Sequence, residues 1–283
     1  MAARLRTLPA AVAPVLVGTA LAIEHGDFDG FAFAAALLGA LFIQVGTNLS
    51  NDYSDARRGA DTEDRLGPVR VTAGGLVPPK QVLRATYITF GLAVLCGIYL
   101  IVVAGWVILA IGAASIIAGV LYTGGPRPYG YEGLGELFVF LFFGLVAVCG
   151  SYYVQVQELP WQAFVASVPV GLIAAAILIV NNVRDMETDR RAGKRTLAVR
   201  MGRARTRAFY AIVLAVSYLM LIPLAFGLSV WVLLAVLSIP LAVRLLQVVR
   251  TRTDGPALNG ALAGTGQLQL VFCVLLSVGI LLS

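Results

Sequence analysis

Residues 44–64 read QVGTNLSNDYSDARRGADTED. The stretch closes a long apolar run and turns abruptly into amides and carboxylates. Asn51, Asp52 and Asp55 follow Asn48 by 3, 4 and 7 positions, a spacing that puts all four on one face of a helix. Asp61 follows shortly after Gly59. A second stretch at residues 181–196, NNVRDMETDRRAGKRT, repeats the pattern with Asn181, Asn182, Asp185 and Asp189. Its amide and acids at steps of four again share one face. Two acidic faces at the ends of two apolar helices call for a common purpose, and a divalent cation held by oxygen ligands supplies one.

Working outward, the chain has 283 residues, of which 59% are hydrophobic and only 13% charged. Soluble domains carry roughly 25% charged residues. Apolar runs of about 20 residues, the length that crosses a bilayer, recur throughout. The expected class is an all-α integral membrane protein, since backbone in lipid must satisfy its own hydrogen bonds. Nine spans are expected, at 8–23, 31–51, 81–103, 105–122, 134–154, 161–183, 208–226, 229–249 and 258–282, forming one domain over 1–283 around a central cavity. The N-terminal MAARLRTLPAAV lacks a persuasive cleavage site and is read as a cytoplasmic lead into the first span.

Charge supports this count. With the N-terminus inside, all 21 Lys and Arg fall at the cytoplasmic ends of the spans. The opposite side carries only Glu24, Asp27, Asp29 and Glu158. The C-terminus then lies outside, and both acidic faces meet on the cytoplasmic side. The net charge of +6 therefore speaks for loops beside an anionic leaflet rather than for nucleic acid. Cys96, Cys149 and Cys273 sit inside apolar runs without metal spacing and read as small buried side chains. The single histidine, His25, cannot build a zinc site and reads as solvated.

Acids and bases gathered at a membrane surface suit a multiply charged anion with its metal. Mg²⁺ prefers oxygen ligands and keeps substrate phosphates in its shell. Two carboxylate faces would hold Mg²⁺ against a diphosphate, and Arg65, Arg70, Arg184, Lys194 and Arg195 would neutralise the remaining charge. The apolar spans offer a groove for a hydrocarbon tail. Together these features describe a polyprenyl diphosphate whose C–O bond ionises to an allylic cation. The plainer reading of Asp and Asn at helix ends is capping and solvation, and topology alone accounts for individual arginines.

The residues carry a resemblance. The chain is similar to the UbiA superfamily of intramembrane aromatic prenyltransferases, and within it to the bacterial 1,4-dihydroxy-2-naphthoate polyprenyltransferase branch of menaquinone biosynthesis. The likeness runs through RTLPAAVAPVLVGTAL, NDYSDARRGADTEDRLGPVRVTAGGL, YTGGPRPYGYEGLGELFVFLFFG, NNVRDMETDRRAGKRTLAVRMG and LNGALAGTGQLQL. Many members have first-motif aspartates four apart, which would put the second acid at Gly59. Here it is shifted to Asp61, a form common in the naphthoate branch. The resemblance implies Asn51, Asp55 and Asp61 in the first metal–diphosphate motif and Asn181, Asp185 and Asp189 in the second. Either Asp61 or Asp52 supplies the metal contact beside Asp55.

On this reading Asp55, Asp185, Asp189, Glu136 and Lys194 are the candidate catalytic residues. Metal contacts come from Asn51, Asp52, Asp55, Asp61, Asp185 and Asp189. Substrate contacts come from Asn48, Asn51, Arg65, Arg70, Asn181, Asn182, Arg184 and Arg195, joined by Tyr122, Arg127 and Tyr129 of the glycine-rich loop YTGGPRPYGYEGLGE. That loop reads either as a connector or as an acceptor pocket. Glu136, at the start of the fifth span, either takes a phenolic proton or simply favours a helix N-terminus. The expected substrates are a polyprenyl diphosphate and 1,4-dihydroxy-2-naphthoate in a bacterial cytoplasmic membrane. Competing acceptors are 4-hydroxybenzoate, a chlorophyll precursor or haem. A secondary transporter would place its ionisable groups near the midplane rather than at one face. The DG-x-x-A-R opening of a phosphatidyltransferase is missing.

Overall fold

A computed structural model describes residue 4, residues 7–60, 66–67 and 69–283. Among them, seven helices are long and apolar enough to cross a membrane. They are α2 (Gly30–Arg57), α3 (Pro79–Ala104), α5 (Gly135–Val156), α6 (Trp161–Arg191), α7 (Arg203–Gly227), α8 (Val230–Thr251) and α9 (Gly255–Leu281). Two shorter apolar helices complete the bundle, α1 (Pro9–His25) and α4 (Trp106–Leu121). The spans expected at 8–23 and 105–122 are these two, and at 17 and 16 residues they are shorter than the rest. Large apolar side chains cover the outside, among them Phe31, Val102, Trp106 and Phe226. Such a surface fits hydrocarbon rather than water, and the chain is an integral membrane protein.

The helix ends follow local chemistry. Pro9 opens α1, where a missing N–H costs nothing, and Gly26 in the left-handed region closes it. Asp29 caps α2 by accepting from Phe31 N at 2.8 Å and Ala32 N at 3.1 Å. Gln155, near the end of α5, accepts from Asp29 N at 2.6 Å and so ties two helices together at the end of the bundle away from the acidic stretches. Gly105, at φ +78°, makes the one-residue turn from α3 into α4.

α6 is the spine. About 67% of its most apolar window is buried, against 22% for α2 and for α3. The main core joins α1, α5, α6, α7, α8 and α9 through residues such as Val17, Tyr152, Ile173, Tyr210, Leu245 and Phe272. α2, α3 and α4 flank this core with smaller apolar clusters of their own, such as Leu100, Ala104 and Ile108, and the cavity lies between the flank and α1 and α5. α5 is irregular: Phe140–Val146 winds as a π-helix. The wider turn belongs to functional sites more often than to plain spans.

α5 and α6 touch where two glycines face each other. A Cβ on Gly144 would lie 2.7 Å from Gly171 Cα and 2.7 Å from Ser167 O. We therefore expect Gly144→Val to destabilise the bundle by about 2 kcal/mol through forced separation of the helices. Gly91→Ala, whose Cβ meets nothing within 4 Å, should leave the thermal midpoint in detergent unchanged or higher. Equal midpoints for Gly144→Val and the unaltered protein would refute this packing.

Candidate active site

α2 keeps its helix beyond the apolar run as far as Arg57, so the acidic residues stay on a rigid element. Asn48, Asn51, Asp52 and Asp55 are all buried, Asp52 and Asp55 at 1% exposure. Asp52 uses both oxygens on backbone: Oδ1 accepts from Thr72 N at 2.9 Å and Oδ2 from Val71 N at 3.2 Å. Those bonds pin the segment after the first motif against α2. Asp55 is the centre of a cationic cluster. Its Oδ2 accepts from Arg70 Nη2 at 3.1 Å, its Oδ1 accepts from Tyr131 Oη at 2.5 Å, and Lys194 Nζ lies 3.8 Å from Oδ1. Asn51 Oδ1 accepts from Thr123 Oγ1 at 2.8 Å, and Asn48 Nδ2 donates to Thr7 Oγ1 at 3.1 Å.

The second motif closes α6. Arg184 Nε and Nη2 grip Asp185 Oδ1 and Oδ2 at 2.7 and 2.5 Å. The same guanidinium donates to Asn181 Oδ1 at 2.9 Å and to Asn259 Oδ1 of α9 at 2.7 Å. Asn259 Nδ2 in turn donates to Leu66 O at 2.9 Å, so α9 reaches the segment after the first motif. Past α6, Gly193 at φ +74° lets the chain fold back, with Lys194 N donating to Asp189 O at 2.9 Å. That turn delivers Lys194 to Asp55 and joins the two motifs.

The loop between α4 and α5 forms the third wall. Tyr131 O accepts from Arg195 N at 2.8 Å, and Lys194 Nζ lies 4.7 Å from the centre of the Tyr131 ring. Arg58 donates to Gly125 O. The Tyr122 phenol lies within electrostatic reach of Glu136, Asp55 and Asp189. Tyr129 Oη donates to Ala118 O at 2.8 Å, and burial pushes its pKa well above the ordinary tyrosine range. Its ring stacks on Phe138 at 4.0 Å and meets Tyr122 edge-on at 5.4 Å. Glu136, in the first turn of α5, is 5% exposed. Its Oε1 accepts from Asn182 Nδ2 at 2.8 Å, while Oε2 is buried with no hydrogen-bond partner among the described residues.

A cavity of about 500 Å³ begins beside this cluster and runs between α1, α2, α3, α4 and α5. Asn48, Asn51, Tyr122 and Tyr129 line its polar end, and Phe142, Leu100 and Val154 line its apolar length. Gly39, Gly97, Gly112 and Gly150 widen it by omitting side chains.

Most of the residues singled out in the sequence converge here. Arg127 lies exposed, and no described hydrogen bond or ion pair joins it to the acidic cluster. The Arg195 side chain is exposed too, and its backbone carries the link to Tyr131. Asp61 and Arg65 lie outside the described residues. Tyr131, Thr123 and Asn259 escaped the sequence reading. Tyr131 sits in an aperiodic glycine loop that gives no face to read, and its excess of aromatics was the only hint. Among the described residues no three His, Cys, Asp or Glu side chains lie close enough to form a ready metal cage. The donor set nevertheless fits a hard cation bound together with an anion. Asp55, Asp185 and Asp189 are oxygen donors, and the adjacent Arg and Lys suit a phosphate.

A helical membrane bundle with paired acidic motifs at the mouth of an apolar cavity defines an intramembrane lipid-handling site. Residues 11–263 match the model of the UbiA prenyltransferase family, and the chain belongs to that family. It is 41% identical over 272 residues to the 1,4-dihydroxy-2-naphthoate octaprenyltransferase of Mycobacterium tuberculosis, covering 96% of this chain and 92% of that one. The Escherichia coli protein of the same name is 40% identical, with 99% and 94% covered. Among solved structures, the UbiA homolog from Archaeoglobus fulgidus bound to GPP and Mg²⁺ superimposes with a TM-score of 0.65 at 16% identity, covering 99% of both chains.

If Asp52 anchors the Val71–Thr72 backbone, Asp52→Ala should speed hydrogen exchange of those two amides at least about tenfold, the value of one charged hydrogen bond. Mass-spectrometric exchange in detergent checks this, and unchanged rates would remove the anchoring role.

Proposed function

We propose that this protein transfers a polyprenyl chain from its diphosphate to 1,4-dihydroxy-2-naphthoate, with loss of the carboxylate, in menaquinone biosynthesis. The observation that carries the reading is the meeting of Lys194 with Asp55, one helical turn from Asn51, which lines the polar end of an apolar cavity of about 500 Å³. It puts the diphosphate-compatible groups of both motifs beside room for a hydrocarbon tail. The naphthoate acceptor is supported by relatives at 40–41% identity over nearly the full chain.

Asp55, Asp185 and Asp189, with amide oxygen from Asn51 or Asn181, would hold Mg²⁺, which would supply positive charge to the diphosphate. Arg70, Lys194 and Arg184 supply the positive charge that stabilises the leaving diphosphate. The tail lies along the cavity, and the Tyr129–Phe138–Phe142 wall keeps water from the allylic cation. The ring carbon bearing the carboxylate attacks the first carbon of the prenyl group, and the carboxylate departs as CO₂. Glu136, whose second oxygen is unengaged, takes the phenolic proton during attack and returns it to the restored diol. The product is the prenylated diol of demethylmenaquinone.

We also propose that α1 and α4 cross the bilayer with the seven longer helices, giving nine spans. The site and the N-terminus face the cytoplasm and the C-terminus lies outside, in a bacterial cytoplasmic membrane. The distribution of Lys and Arg supports this orientation. A cysteine replacing Arg58 should then react with an impermeant maleimide only after inverted vesicles are used, and one replacing Asp27 only in intact cells. Labelling of both from one side would overturn the topology.

The activity is tested by incubating the purified protein with a polyprenyl diphosphate, Mg²⁺ and a panel of aromatic acceptors, and identifying the adduct by mass. Asp55→Ala and Asp185→Ala should each lower turnover at least about a hundredfold by removing a hard oxygen ligand. Asp27→Ala, at the other end of the bundle, should stay within about twofold of the unaltered protein. Glu136→Gln should cut the rate strongly while Mg²⁺-dependent binding of the diphosphate persists. Full turnover in Asp55→Ala at limiting Mg²⁺ would contradict the metal assignment, and an unchanged rate in Glu136→Gln would leave that residue a helix-end role only.

A further inference from the structure

A second depression lies on the outer surface, between α8 and α9. It measures about 580 Å³ and is lined by Arg244, Gln247 and Arg252 of α8 and by Gly260, Gly264 and Gln267 of α9. Its floor is open at Gly260, where a Cβ would meet nothing within 4 Å. No acid lines it. Arg252, at its mouth, is already engaged by Asp254 at 2.8 Å. Arg244 is exposed and makes no hydrogen bond or ion pair among the described residues. Eight residues of helix separate the two arginines, or about 12 Å at 1.5 Å per residue. Arg244 thus lies about two turns inside the end of α8 that carries Arg250 and Arg252. A cation at that depth is costly and marks a functional position by default.

We propose that this groove is a binding site for an anionic phospholipid. The Arg244 side chain is long enough to rise towards the mouth. Part of the way up the groove it pairs with the lipid phosphate, and Gln247 and Gln267, which line the same groove, donate hydrogen bonds to the headgroup. The acyl chains run along Leu245, Val248 and Ala261, with Gly260 leaving the space they fill. Charge complementarity selects this occupant. Basic pockets between membrane helices are matched to anionic headgroups. A second copy of this chain, placed on the groove by a two-fold axis, would instead set Arg244 against Arg244 with no acid to relieve the repulsion. The groove opens at the same end of the bundle as the acidic cluster, since Asn259, beside Gly260, accepts from Arg184.

The test reconstitutes the full chain in nanodiscs of equimolar phosphatidylglycerol and phosphatidylcholine, releases it in mild detergent and counts retained lipids by native mass spectrometry. The unaltered protein should keep phosphatidylglycerol in preference to phosphatidylcholine. Arg244→Gln, which removes the charge, and Gly260→Leu, which fills the groove and keeps the charge, should each reduce that retention at least fivefold. Arg250→Gln, an exposed arginine of the same helix outside the groove, should not change it. Equal retention by the unaltered protein and both groove variants would overturn the proposal. So would an equal loss in Arg250→Gln, which would point to surface charge alone. A dimer that Gly260→Leu converts to monomer with unchanged phosphatidylglycerol retention would assign the groove to a protein contact and overturn the lipid site.

Discussion

Asp55 carries its charge at 1% exposure on the last turns of an otherwise apolar helix, and the surrounding architecture depends on how that charge is matched. Taking an ion out of water costs several kcal/mol unless close partners repay it. Arg70, Tyr131 and Lys194 repay it from three different segments. Each segment is held in turn: Asp52 anchors the backbone next to Arg70, Arg195 N anchors Tyr131, and the Gly193 turn positions Lys194. The acidic end of the bundle is therefore one network rather than a row of separate ligands. Its parts gain rigidity from one another because a half-satisfied buried network is worse than none.

The same logic explains why α6 is the most buried long helix. It must carry Arg184 and Asp185 at its end, both nearly enclosed, and it meets α5 through the Gly144–Gly171 contact. Close backbone approach without side chains is the usual way helices gain contact in lipid, where burial of apolar surface drives nothing. The main core joins α1, α5, α6, α7, α8 and α9 on one side, and the open volume lies where α1 and α5 face α2, α3 and α4. Rigid core and open cavity are two consequences of one division of labour.

The π-helical turn of α5 sits at the junction between these halves. Its residues Phe140–Val146 include Phe142, which faces the cavity, and Gly144, which faces α6. A wider turn changes which positions share a face, so one short segment serves the polyaromatic wall and the glycine contact together. Glu136, one turn earlier, is tied to Asn182 of α6 and keeps one oxygen unengaged. That arrangement keeps a buried carboxylate oxygen without a hydrogen-bond partner among the described residues, at the start of the helix whose Phe138 and Phe142 line the apolar cavity.

What the sequence determined by itself rests on local properties. Hydrophobic run length gave the membrane class, because a helix in lipid must be apolar along its own length. Four-residue spacing placed Asn51, Asp52 and Asp55 on one helical face, and α2 does keep that face as far as Arg57. The motif strings were specific enough to name the family to which the chain belongs. Tertiary structure decided what depends on partners far apart in the chain. Tyr131 reaches Asp55 across 76 positions and Thr123 reaches Asn51 across 72, from a loop with no periodicity to reveal which side chain turns inward. Only the folded chain shows that Asp52 spends its oxygens on backbone amides, that Asn259 of α9 braces Arg184, and that Arg127 lies exposed. Residue type and spacing state what a side chain is able to bind, whereas packing chooses which of its possible partners comes within three ångströms.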